Sequence, residues 1–205
     1  MNSLKRGSAV RGPQSAVSNF LIISIVALLF SSCEDDFAPK PRGFQRIDLP
    51  KKEYTTYHTD CGFSLDVPNY ATMQLDSHPE AEKCWYNISY LPFNATLHLS
   101  YKPYRNEAEL FKLTEDARTL VYKHTIKADE IYETQINNQY LSGMLYELSG
   151  STATNFQFFA LDSTGNFVRG ALYFKTATQN DSLAPVIQYI RNDILHLVNT
   201  LTWKK

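Results

Sequence analysis

The sequence predicts an α+β domain in which two amphipathic helices cover an antiparallel β-sheet. Three observations support this prediction. Short strand-like runs outnumber the two long helix-like runs, and Tyr and Phe are plentiful at 13 and 12 residues. Turn sequences rich in Asn, Asp and Gly join the later strands. Aromatic residues favour strands, and strands joined by short turns pair antiparallel. Each amphipathic helix must then bury its apolar face against the sheet.

Three strands are predicted in the first half of the domain, at residues 62–67, 84–90 and 95–102. In the third of them, Ala95, Leu97 and Leu99 alternate with polar residues. This period of two is expected of an antiparallel strand with one buried face. The three runs are therefore predicted to be strands of the antiparallel sheet.

A helix is predicted over residues 106–124, where the apolar period changes to three or four residues. Its apolar stripe consists of Leu110, Leu113, Ala117, Leu120 and Val121. Asn106 is the predicted N-cap. Glu107 and Glu109 follow it, near the positive end of the helix dipole. The helix therefore has both a start signal and a face to bury.

Four further strands and a second helix complete the domain. The strands are predicted at residues 129–136, 140–148, 154–162 and 166–175. Asn137-Asn138 and the segment 162–165 have the composition of hairpin turns. The final helix is predicted over 182–202, with Pro185 tolerated in its first turn. This order of elements resembles the fold of the photosystem II oxygen-evolving P protein and of Mog1, which would place the long final helix on the sheet.

Residues 1–32 have the features of a secretory signal peptide. Basic residues precede an apolar run of about 11 residues from Phe20 to Phe30, whereas a membrane span needs about 20. Two serines and then Cys33 follow, which indicates a bacterial lipoprotein whose Cys33 is acylated. Phe30 stands where such signals usually have Leu, so an uncleaved N-terminal anchor is the alternative. The acylated protein would be anchored to a membrane without crossing it.

Residues 33–55 are predicted to be an extended tether, and residues 56–205 a single α+β domain. The tether contains Pro39, Pro41 and Pro50, and about 18 of its residues would reach at most ~55 Å. Its basic residues are candidate partner contacts: Lys40, Arg42, Arg46, Lys51 and Lys52. The acidic run 34–36 resembles a lipoprotein sorting signal, or is simply a solvated charge cluster.

Composition and motifs exclude several classes of function. The formal charge is −1 at pH 7, so nothing indicates a nucleic-acid-binding protein. The sequence has no GxSxG, GxGxxG or P-loop motif, and its five histidines lack local zinc-ligand spacing. We therefore predict no catalytic residues, no metal site and no cofactor.

Two cysteines remain after acylation of Cys33. In an oxidising compartment, Cys61 and Cys84 would form a disulfide that closes a loop of about 24 residues. The alternative is two independent buried thiols.

Two triplets resemble O-glycosylation acceptor sequences of Bacteroidetes periplasmic proteins. They are Asp162-Ser163-Thr164 and Asp181-Ser182-Leu183, with Ser163 and Ser182 as the candidate acceptors. Turn and helix-cap chemistry explains both triplets equally well.

Five stretches of the mature chain carry a family resemblance. They are residues 39–54, 84–102, 113–131, 169–174 and 181–194. In combination and order they resemble the gliding-motility lipoprotein GldD family of Bacteroidetes. The resemblance implies a cell-envelope lipoprotein that is required for gliding motility and linked to type IX secretion. It implies no enzymatic activity and supplies no catalytic residues.

Two functional hypotheses follow for the body of the protein. In the first, it is a non-enzymatic assembly component in the periplasm that contacts other gliding or secretion proteins of the envelope. In the second, it is a periplasmic small-ligand-binding or hydrolytic domain, which would need a concave pocket with converging polar groups. The side chains to inspect for such a pocket are His98, His124, Lys123, Arg118 and Glu115.

Overall fold

The computed structural model describes residues 47–175 and 180–203, without the side chains of residues 180–182. The predicted signal peptide, Cys33, Lys40, Arg42 and Arg46 lie outside these residues, as does the side chain of Ser182. In the described part, the strands are β1 (Tyr54–His58), β2 (Phe63–Pro68), β3 (Thr72–Leu75), β4 (Trp85–Tyr90), β5 (Ala95–Pro103), β6 (Ala128–Asn137), β7 (Ser142–Gly150), β8 (Thr154–Leu161), β9 (Asn166–Phe174) and β10 (Thr202–Trp203). The helices are α1 (Glu107–Tyr122) and α2 (Asn180–Thr200).

The strands form two antiparallel sheets. The larger has the order β3-β4-β5-β9-β8-β7-β6, and the smaller has the order β1-β2-β10. The predicted class, an antiparallel sheet with two helices, is confirmed. The prediction contained one sheet only. It lacked β1, β3 and β10, and it placed β2 in the same sheet as β4 and β5, whereas β2 pairs with β1 and β10 in the smaller sheet. It also extended the last helix to residue 202, whereas Thr202 and Trp203 pair with β2.

The main core lies on one face of the larger sheet. The side chains of Ile88, Leu97 and Leu172 point to this face and are fully buried. They share one apolar cluster with α2 and β2, to which α2 contributes Ile190, Ile194 and Leu197 and β2 contributes Phe63, Leu65 and Val67. The long final helix therefore packs against residues of both sheets through its apolar stripe.

Helix α1 packs on the opposite face of the larger sheet. Its buried Ala117 and Val121 share a second cluster with Tyr146, Phe159 and Phe167. These aromatic residues belong to β7, β8 and β9. On the same face, β4 carries Trp85 and Asn87 and β5 carries His98 and Ser100, none of which belongs to this cluster. The edge of α1 therefore borders a polar strip of sheet.

Local signals at turns and caps are confirmed. The side chain of Asn106 accepts a hydrogen bond from the Glu109 backbone N–H at 2.9 Å, which caps α1. In the β8–β9 turn, Asp162 Oδ1 accepts from the Thr164 and Asn166 backbone N–H groups. Gly165 has a φ of 100°, which only glycine adopts freely. Helix α1 ends at Tyr122, so His124 lies in the turn that follows it.

Gly170 allows close packing of the central strands. It pairs with Phe158 of β8, and a Cβ atom at this position would lie 2.2 Å from Phe158 Cε1. We expect Gly170→Ala to lower the free energy of unfolding by about 2 kcal/mol, because Phe158 is fully buried and must move. Urea denaturation would measure the loss. The double variant Phe158→Leu/Gly170→Ala should lose less than the sum of the two single variants, and strict additivity would contradict this explanation.

Candidate functional site

A cavity lies where α1 meets the polar strip of the larger sheet. Strand pairing brings together the residues that form the floor of the cavity. Arg169 on β9 lies opposite Ser100 on β5, and Ser100 lies opposite Trp85 on β4. Two residue pairs further along the same strands, His98 lies opposite Ala171. All these side chains point to the α1 face because side chains alternate along each strand.

The cavity has a volume of about 520 Å³. Its wall is mixed, with apolar residues from both the helix and the sheet. The apolar lining consists of Trp85, Leu99, Leu113, Ala117, Leu120, Phe167 and Ala171. The polar lining consists of Asp76, His98, Ser100, Lys102, Asp116, Thr119, Lys123, Arg169 and Tyr173. The wall can therefore hold an apolar group and a charged group at the same time.

Arg169 is a half-buried cation of this wall. Its guanidinium donates to Gln157 Oε1 at 2.5 Å, and Gln157 is a neutral residue of β8. No carboxylate lies within 4.0 Å of Arg169 in the described residues. Burial lowers the pKa of Arg169, although the group remains charged at neutral pH. Its charge therefore lacks a counterion within the described part of the chain.

His98 is an exposed residue of the cavity wall. Its ring contacts Tyr173 edge-to-face, with 5.6 Å between the ring centroids. Partial desolvation lowers the pKa of His98, and the nearby Asp76 acts in the opposite direction. The imidazole is therefore neutral at pH 7 and can donate one hydrogen bond and accept another.

Only some of the five residues that the sequence suggested for a pocket lie together in the structure. His98 and Lys123 line the cavity, whereas Glu115 and Arg118 do not. His124 is half-buried, and its pKa is lowered by desolvation and by the charge of Arg169. The sequence analysis did not identify Arg169 as a pocket residue. A single Arg in a strand-like run carries no signal until the pairing of β9 with β5 is known.

A second cluster of polar residues joins the end of the predicted tether to α2. The fully buried carboxylate of Asp193 accepts hydrogen bonds from Lys52 Nζ at 2.5 Å and from Tyr54 Oη at 2.8 Å. Tyr70 donates a third bond to it. Lys52 Nζ also donates to the Tyr189 carbonyl at 2.8 Å and lies 3.9 Å from the centroid of the Tyr189 ring. We call Lys52, Tyr54, Tyr70, Tyr189 and Asp193 the tether junction.

The tether junction changes the interpretation of residues 50–55. They were assigned to an extended tether, but Tyr189 donates a hydrogen bond to the Pro50 carbonyl, and β1 begins at Tyr54. The ammonium group of Lys52, a predicted partner contact, is engaged inside the chain. Lys51 is exposed and pairs with Glu53, which is also exposed. Burial and the Asp193 carboxylate raise the pKa of Tyr54 and of Tyr70, so both are neutral donors.

Cys61 and Cys84 are joined by a disulfide in the structure, with 5.8 Å between their Cα atoms. The bond connects the loop before β2 to the residue before β4, and so links the smaller sheet to the larger one. Ser163, a candidate glycosylation acceptor, is exposed at the tip of the β8–β9 turn.

The described residues contain no side-chain grouping typical of a metal site and no helix typical of a membrane span. No group of three or more His, Cys, Asp or Glu side chains is arranged to hold a metal ion there. No helix in the same residues is long and apolar enough to span a bilayer.

Comparisons with known proteins place the chain in a family. Among solved structures, the chain is similar to the solution structure of cyanobacterial PsbP (CyanoP) from Synechocystis sp. PCC 6803, with a TM-score of 0.46 and 7% identity. That similarity covers 78% of this chain and 97% of the other. The comparison with curated proteins found no match. The family described as "Gliding motility lipoprotein GldD" matches residues 34–203, which is most of the sequence. The chain therefore belongs to the gliding-motility lipoprotein GldD family.

Proposed function

We propose that this lipoprotein supports gliding motility as a non-enzymatic component of an envelope assembly that is linked to type IX secretion. The observation that carries the proposal is the family match over residues 34–203, which begins directly after Cys33. In this proposal, acylated Cys33 holds the protein on a membrane and the body lies in the periplasm. Its partners are other envelope proteins of gliding and secretion.

The tether junction supports a role that depends on anchoring. A chain that leaves a domain through a loose end transmits little force or orientation to that domain. Here the residues next to the tether are bound to α2 by an ion pair and by hydrogen bonds from two tyrosines, and β1 then pairs with β2. The attachment point is therefore part of the folded core.

Exposed aromatic side chains support a role in binding partners. Phe111 on α1, Tyr132 on β6 and Tyr140 in the β6–β7 turn are each more than half exposed. Tyr and Phe are enriched at protein interfaces. Strand β6 is also an edge of the larger sheet, where unpaired backbone groups can accept another strand.

Crosslinking in living cells tests the proposed contacts. A photoreactive amino acid would replace Arg42 or Arg46 in the tether, or Tyr132 or Tyr140 on the body, with exposed Glu115 as the control position. We expect the test positions to crosslink to envelope proteins needed for gliding or type IX secretion, and these products to disappear in the Cys33→Ser background. Equal products from Glu115, or none from any position, would contradict an assembly role.

A further inference from the structure

We propose that the cavity between α1 and the larger sheet binds a small amphiphilic oxyanion, with Arg169 as the cation that pairs with its head group. The ligand class is a carboxylate or a phosphate attached to a compact apolar body. This inference goes beyond the proposed role in motility and does not depend on it.

The size and composition of the cavity support a ligand of this kind. Small-molecule sites have volumes of about 300–1,000 Å³, apolar walls and a few converging polar groups. The cavity volume of about 520 Å³ falls within this range. Its apolar wall is formed on one side by Leu113 and Leu120 of α1, and on the other by Trp85 and Phe167 of the sheet. A volume of this size is enough for a ring or a short hydrocarbon chain together with a charged head group.

The state of Arg169 indicates the charge of the ligand. A guanidinium has five N–H donors, and in the described residues only a bond to the neutral Gln157 is present. Removing a cation from water without a counterion costs free energy. Arg also binds carboxylates and phosphates through two parallel hydrogen bonds. An oxyanion in the cavity would therefore supply both the missing charge and the missing acceptors.

The other charged groups of the wall are compatible with one anionic head group. Lys123, just after α1, is exposed and forms no ion pair within the described residues, whereas Lys102 pairs with Glu82 at 3.0 Å. Two carboxylates, Asp76 and Asp116, also line the cavity. The wall thus has three cations and two anions. Arg169 and Lys123 have no carboxylate partner in the described residues, and of these two only Arg169 belongs to the sheet.

Trp85 provides a direct measurement. The chain has two tryptophans, and the other, Trp203 of β10, does not line the cavity. The full chain with Trp203→Phe, in detergent, would be titrated with phenyl phosphate, benzoate, benzyl alcohol and inorganic phosphate, while Trp85 fluorescence is recorded. Benzoate and phenyl phosphate distinguish a carboxylate from a phosphate head group. Benzyl alcohol tests the apolar body alone, and inorganic phosphate tests the charge alone.

We expect saturable binding of at least one aromatic anion, at least about tenfold tighter than benzyl alcohol and inorganic phosphate. Arg169→Gln should weaken that binding at least about tenfold, as expected for the loss of a charge-assisted hydrogen bond. The affinity of Arg169→Lys should lie between those of the parent protein and Arg169→Gln. Lys123→Gln should weaken binding less than Arg169→Gln does. Arg118→Gln is the matched control, because Arg118 is an exposed arginine of α1 outside the cavity wall.

Three results would overturn the proposal. One is the absence of any saturable change in Trp85 fluorescence with either aromatic anion. Another is equal affinity for benzyl alcohol, which would show a cavity without charge selectivity. The third is unchanged affinity in Arg169→Gln with a native circular dichroism spectrum. If Arg169→Gln does not fold, the proposal is tested by the four probes on the parent protein and by comparing Lys123→Gln with Arg118→Gln. Equal affinities of these two variants for the aromatic anion would count against the proposal.

Discussion

Asp193→Ala is expected to lower the free energy of unfolding by about 3 kcal/mol. The substitution leaves the ammonium of Lys52 without its counterion and the hydroxyls of Tyr54 and Tyr70 without their acceptor. Breaking a buried ion pair from one side costs about 3–5 kcal/mol. The lower end applies here because the Lys52 side chain is 28% exposed. Urea denaturation, monitored by circular dichroism, would measure the change.

Two neighbouring lysines provide the matched control. Lys52→Ala should also destabilise the protein, whereas Lys51→Ala removes only an exposed pair with Glu53 and should change stability by less than about 0.5 kcal/mol. The double variant Lys52→Ala/Asp193→Ala should lose less than the sum of the single losses, because the two residues share one interaction. Equal effects of Lys51→Ala and Lys52→Ala would refute the tether junction as a stabilising contact.

Removal of the Cys61–Cys84 disulfide is expected to cost about 3 kcal/mol. The bond spans a sequence separation of 23 residues, and closing such a loop restricts the unfolded chain by about that amount in the chain-entropy model. The double variant Cys61→Ala/Cys84→Ala would be compared with the wild type under oxidising conditions, by urea denaturation. The reduced wild type should resemble the variant.

Thiol counting provides the control for that experiment. In the denatured, unreduced Cys33→Ser protein, we expect no free thiol, because the two remaining cysteines are joined. Two free thiols would show that the bond is absent. A double variant as stable as the wild type would show that the bond does not contribute to the free energy of unfolding.

The parts of the fold that the sequence predicts are those with a periodic or capping signal. Strand β5 alternates cleanly because only one of its faces reaches the main core, and α1 has Asn106 at its start. Strand β1 has no such pattern: four of its five residues are exposed, and within the described residues it pairs with β2 alone. Strand β10 is only two residues long. Short strands such as β1 and β10, which are held mainly by backbone pairing and bury few side chains, show no periodic pattern of apolar residues in the sequence.

The candidate sites were harder to predict for the same reason. His98 can be singled out from the sequence because it is a titratable residue on the polar side of an alternating strand. Arg169 becomes notable only when β9 pairs with β5 and α1 covers part of the same face. Asp193 lies next to Ile194 on a long amphipathic helix and looks like an ordinary polar position. Its partners are more than 120 residues earlier in the chain, and no local pattern connects them.

The most direct test of the account is rescue of motility by a chain that cannot be acylated. In a gliding bacterium whose own copy of the gene is deleted, the wild-type chain should restore spreading, while Cys33→Ser should accumulate as a folded, secreted protein without restoring it. Release of type IX substrates would be measured in the same strains and should follow spreading. Full restoration of spreading by the unanchored protein would contradict the claim that the body works from a membrane anchor.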